Sequence, residues 1–110
     1  MFDTRHAILA AAIVASLAPT PLGAQEHQRQ RGQELLAANC SRCHAVGRTG
    51  SSPRADAPAF RTLSRKYPIE WLAEALAEGL YVGHPDMPEF AFEPRDVGAI
   101  LDYLNSIQER

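Results

Sequence analysis

The run Cys40-Ser41-Arg42-Cys43-His44 constrains this 110-residue chain more than any other stretch. Two thiols three residues apart share one turn of backbone, where both can form thioether bonds to the vinyl groups of one porphyrin. The histidine that follows then supplies an imidazole nitrogen to the iron. C-x-x-C-H is the attachment signature of c-type haem. Three other chemistries use close cysteines. A structural zinc site needs four Cys/His ligands and usually a second cysteine pair, and this chain has only two cysteines. A thioredoxin-like dithiol belongs in a βαβ unit, and no strand pattern surrounds the motif. A disulfide across such close positions would be strained and would leave His44 without a role. The expected cofactor is therefore one haem c, covalent through Cys40 and Cys43, with His44 as proximal ligand.

Both cysteines belong to that motif, so no disulfide framework remains, and a net charge of −2 gives no sign of nucleic-acid binding. Residues 1–24 read as a secretory signal. Arg5 and His6 precede an apolar run from Ala7 to Ala18 broken only by Ser16, followed by Pro19, Pro21 and the small pair Gly23-Ala24. A run of about twelve residues falls short of the roughly twenty a spanning helix needs. No stable membrane insertion is expected once the signal is removed. A retained N-terminal anchor is the alternative, because Asp3 offsets Arg5 and Leu22 is not small. Export agrees with the motif, since bacteria attach haem c on the far side of the inner membrane; the expected location is the periplasm. Residues 25–110 then form one domain, small for an unaided core. A buried haem would add apolar surface much as metals or disulfides staple other small domains.

From Gln28 to Asn39 the pattern is helical, with Gly32, Leu36 and Cys40 four residues apart on one face and Leu35 widening it. Glycine inside a helix costs about 1 kcal/mol against alanine. Gly32 therefore marks either a frayed first turn or a close approach by another helix. Ala45 to Ala59 carries Gly47, Gly50, Pro53 and Pro58 without a period and reads as a loop. Phe60, Leu63 and Tyr67 mark a short helix. Pro68 opens a second, through Trp71, Leu72, Ala75 and Leu76 to about Gly79, with Glu70, Glu74 and Glu78 as a solvated outer row. Two prolines keep the stretch from Gly83 to Pro88 out of helix. The last helix begins at Pro94, places Asp96 in its first turn, and carries an apolar stripe of Val97, Ile100, Leu101, Leu104 and Ile107 with Tyr103 at its edge. With no strand pattern and no repeat, the fold class is all-α.

Taken together, the motif at 40–44, the Met87-Pro88 loop and the run Ile100-Leu101-Asp102-Tyr103-Leu104 resemble a small bacterial monohaem class I cytochrome c. The resemblance covers residues 25–110 as a cytochrome c domain. It implies helices wrapped around one covalent haem, the first and last crossing where Gly32 meets Tyr103, with Leu36 and Leu104 beside them. It implies Met87 as sixth iron ligand, so that His44 and Met87 hold the metal; gap-filling is the plain alternative for a lone methionine, and His84 is the rival ligand. It implies that a proline carbonyl accepts the other ring N–H of His44. Pro58 fits that place, with Pro53 as the alternative. Trp71 and Tyr67 are possible counterparts of the family's aromatic residues near the haem propionates, with a core role preferred for Trp71.

The function implied is a soluble periplasmic one-electron carrier and not an enzyme, because two axial ligands leave no open coordination position. Two alternatives remain: a haem-c subunit of a larger dehydrogenase or oxidase, and a five-coordinate gas- or peroxide-binding haem protein. Partners are redox proteins of unspecified identity, and the chain is expected to be a monomer. Charge is unevenly spread. Arg29 to Lys66 carries eight bases against two acids, a net of +6; Glu70 to Glu109 carries one base against nine acids, a net of −8. Either folding interleaves the two halves, or a dipole turns the Cys40–His44 side toward an acidic patch on a redox partner.

Overall fold

The computed structural model describes residues 10–17, 21–79 and 86–110. His84, the rival ligand, lies outside the described residues, as do residues 1–9 and 18–20 of the signal. The described chain is all-α. Helix α1 spans Pro21–Asn39, α2 spans Leu72–Glu78 and α3 spans Pro94–Ile107, with short 3-10 segments at Phe60–Arg65 and Ile69–Trp71.

Helix α1 begins at Pro21, earlier than the Gln28 predicted from periodicity. Proline suits a first turn. The residues from Pro21 to His27 are all exposed, so they leave no apolar stripe for a periodicity argument to find. Gly23-Ala24 of the expected cleavage site sits in this exposed first part. Further along, only Gly32 and Leu36 of α1 are buried. They lie where α1 crosses α3, and Arg31 Nε reaches Asp96 Oδ1 at 3.3 Å beside them.

Helix α3 starts with Pro94 in its first turn and buries Val97, Ala99, Ile100, Tyr103, Leu104 and Ile107. Ile100, Leu104 and Ile107 of that face meet Leu36 of α1, Phe60 and Leu63 of the first 3-10 segment, and Ile69 of the second in one cluster. Past its end, Gln108 straps the helix to the first 3-10 segment. Its Nε2 donates to Phe60 O and to Leu104 O, both at 2.8 Å, and its Oε1 accepts from Ser64 N–H at 2.9 Å.

The stretch after Pro68 corrects the sequence reading twice. Pro68 caps a 3-10 turn, and α-helix begins only at Leu72. Trp71, expected in the core, is 73% exposed, while Ile69 two residues earlier is 2% exposed and takes the buried place. In the turn Ile69–Trp71 only one side chain can face inward, and the smaller β-branched one does. Helix α2 stops at Gly79, whose φ of +70° places it in the left-handed region, with its N–H donating to Ala75 O at 3.1 Å. The two oppositely charged halves of the chain interleave. Arg31, Arg54, Arg61 and Arg65 of the basic half pair with Asp96, Asp86 and Glu109 of the acidic half.

Candidate functional site

Helix α1 runs directly into the motif. Cys40 N–H donates to Leu36 O at 2.8 Å, and Cys40 O then accepts from Cys43 N–H at 3.2 Å and His44 N–H at 2.9 Å. That closed turn gathers both thiols and the imidazole. The cysteines are half-buried and unbridged. Burial pushes the Cys40 thiol up to about 11, so it stays protonated at neutral pH. A redox dithiol depends on the opposite shift, toward an activated thiolate.

His44 is held from two sides. Its Nδ1–H donates to Pro58 O at 2.8 Å, and its ring stacks on Phe60 with centroids 4.6 Å apart and planes at 28°. A proton fixed on Nδ1 leaves the Nε2 lone pair free to ligate. The loop that brings Pro58 there is pinned along its length. Ala45 N–H donates to Ser52 Oγ at 3.0 Å, Arg54 N–H to Cys43 O at 3.1 Å, and Phe60 N–H back to Ala45 O at 3.0 Å. The carbonyl that meets the imidazole is thus Pro58's, and Pro53 is exposed.

Cys40, Cys43, His44, Pro58 and Met87 all line one cavity of about 1000 Å³. Its apolar walls come from all three α-helices and the first 3-10 segment: Leu36 of α1, Leu63 and, just after it, Tyr67, Leu76 of α2, Ile100 and Leu104 of α3. That volume is at the upper end for small-molecule and cofactor sites. Two thiols and an imidazole set into apolar walls fit a covalently bound haem, and the Met87 thioether shares the same cavity. Met87 is half-buried there, and burial raises the Tyr67 hydroxyl above its ordinary value. Trp71 is not part of the wall. Among the described residues no group of three or more His, Cys, Asp and Glu side chains is placed to hold a metal ion.

Sequence reasoning missed three features of this site. Phe60 marks a helix and follows Pro58 by two residues in the sequence, but its stacking on the His44 ring leaves no sequence trace. Phe90 and Phe92 complete the wall from the chain after Met87, anchored by Phe92 N–H donating to Leu76 O at 2.8 Å. Arg54 on the rim bonds Asp56 and Asp86, and no local pattern marks a lone arginine in an aperiodic loop.

Comparison with known proteins points the same way. The family model described as Cytochrome c matches residues 29–108. The chain is 28% identical over 96 residues to cytochrome c-552 of Bradyrhizobium diazoefficiens, an alignment that covers 87% of this chain and 90% of that protein. No solved structure matches it.

Proposed function

The chain belongs to the cytochrome c family, and from that premise we propose that it is a soluble periplasmic one-electron carrier whose haem iron is ligated by His44 and Met87. The family binds haem c covalently and transfers electrons, and Cys40 and Cys43 fit its C-x-x-C-H motif. Bound haem supplies an iron that gains and loses one electron. The protein's part is to hold that iron with two ligands, exclude water and set the potential.

The observation that carries the His/Met reading is the shared cavity. His44, with Nδ1 engaged by Pro58, and Met87, arriving from the far end of the sequence, line the same apolar space. With haem bound, the His44 imidazole and the soft Met87 thioether would hold the iron, favour its reduced form and raise the potential. With His44 and Met87 both holding the iron, no position would be left for substrate, which supports a carrier over an enzyme. No helix among the described residues is long and apolar enough to cross a membrane, which supports a soluble form after export.

Spectra of the purified holoprotein in both oxidation states test this reading. The oxidised wild type should show the sulfur–iron charge-transfer band. Met87→Ala should abolish it, lower the potential and open the reduced iron to carbon monoxide, whereas His84→Ala should change none of these. The reverse pattern would give the sixth position to His84.

A further inference from the structure

We propose that Arg54 is a positioning residue that ties Asp86, and with it Met87, to the Cys40–His44 turn. The proposal rests on Met87 as ligand, argued above. Arg54 sits in the loop between His44 and Pro58, and its backbone N–H donates to Cys43 O at 3.1 Å, which fixes it to the motif itself. Its guanidinium then reaches across the sequence. Nη1 donates to Asp86 Oδ2 at 2.9 Å while Nε donates to Asp56 Oδ1 at 2.7 Å. Asp86 is the residue before Met87, and Arg54, Asp56, Asp86 and Met87 all line the cavity that holds the motif. One side chain therefore spans from the motif turn to the residue before the thioether.

The geometry makes the tie directional. Asp56 occupies the Nε edge and Asp86 the Nη1 edge, so the local carboxylate orients the guanidinium plane and the distant one receives it preset. A lysine could not replace both edges at once. The pair is partly open to solvent, with Arg54 38% and Asp86 66% exposed. Exposed pairs are weak and are screened by salt. The tie should therefore bias the position of Met87 modestly, and by an amount that salt reduces.

The test is titration of oxidised holoprotein with imidazole, an external ligand that must displace Met87, read as loss of the sulfur–iron band. Arg54→Gln and Asp86→Asn should each raise the apparent imidazole affinity about two- to fivefold at low ionic strength. The double variant should be no weaker in holding Met87 than either single one, which marks the two as one interaction. Wild-type affinity should rise with salt toward that of Arg54→Gln, which should itself be flat. Arg54→Gln keeps the backbone bond to Cys43, and Asp86→Asn covers the case in which it fails to fold. A wild type with the band but equal imidazole affinity in all variants, or additive effects in the double variant, overturns the tie alone. A wild type with no sulfur–iron band overturns Met87 ligation and the tie with it.

Discussion

Gly32 and Tyr103 leave no room for a side chain between them. A Cβ at Gly32 would lie 2.9 Å from Tyr103 Cβ and would overlap the carbonyl oxygen of Ala99. The obstacle is mainly α3 backbone, which cannot rotate aside as the end of a flexible side chain could.

Gly32→Ala should therefore destabilise the holoprotein by about 1–3 kcal/mol, the usual cost of forcing an extra carbon into a packed contact. Helix propensity alone predicts a gain of about 1 kcal/mol, so the two effects have opposite sign and a thermal or denaturant melt separates them. Gly32→Leu should cost more. A stabilised Gly32→Ala protein would mean that α1 does not cross α3 at this glycine.

Tyr103 also fastens the crossing to the loop after the haem motif, through its hydroxyl donating to Val46 O at 2.7 Å. Removing the donor in Tyr103→Phe should cost about 0.5–1.5 kcal/mol near neutral pH. Burial raises this hydroxyl above its ordinary value of 10, outweighing Arg48, which pulls it down. A raised folded-state value favours the protonated form, so its stabilisation is whole below pH 10 and fades as pH climbs through the folded value. The stability gap between wild type and Tyr103→Phe should accordingly narrow above pH 10 in denaturant melts. A gap that widened there would contradict the buried, neutral hydroxyl.

The apolar walls around Cys40, Cys43 and His44 include Leu36, Leu63, Ile100 and Leu104, which belong to the only apolar cluster joining α1 to α3 among the described residues. Without a covalent haem those side chains face an open space. Cys40→Ala with Cys43→Ala should leave a chain that is largely unfolded and readily cut by protease. Far-ultraviolet circular dichroism with limited proteolysis checks it; a cooperative melt with holoprotein-like helix content would show that the polypeptide core suffices.

What could be seen in the sequence was whatever leaves a periodic or chemical trace. The α3 stripe and its Pro94 start were legible because a long helix with one buried face repeats its apolar residues. Gly32 was legible because a glycine in a good helix demands a reason. The first part of α1 was not, since a solvated helix repeats nothing. Trp71 misled because size and apolarity suggest burial, whereas tryptophan is seldom wholly buried and a single 3-10 turn can turn inward only one of its neighbours. The Gln108 bonds to Phe60 and Ser64 and the Arg54 bond to Asp86 join residues far apart in sequence through backbone groups and charges, which carry no local pattern at all.

The interleaving of the two charged halves changes what electrostatics can do for electron transfer. Four of the eight basic residues between Arg29 and Lys66 are paired with acids of the other half. On the cavity rim Arg42 and Arg54 face Asp56 and Asp86, two charges against two. The large dipole suggested by charge order along the chain is thereby reduced, and steering at the cavity should depend on few residues. Arg42 is the one to change, because it is exposed on the rim and takes part in none of the ion pairs among the described residues. Arg42→Glu shifts the rim by two charges. Each pair of unit charges about 10 Å apart in water is worth about 0.4 kcal/mol before screening. For a reagent carrying three charges, the change should alter the encounter by roughly twentyfold at about 0.01 M salt. Electron transfer with an anionic iron cyanide complex should slow and that with a cationic cobalt amine complex should quicken. Both effects should shrink toward wild-type rates at about 0.5 M, where screening acts within a few ångströms. The reduction potential should move little. Stopped-flow rates with the two reagents at both salt concentrations decide it. Equal responses to anion and cation, or a change that salt leaves intact, would show that Arg42 acts on the haem itself and not on the approach to it.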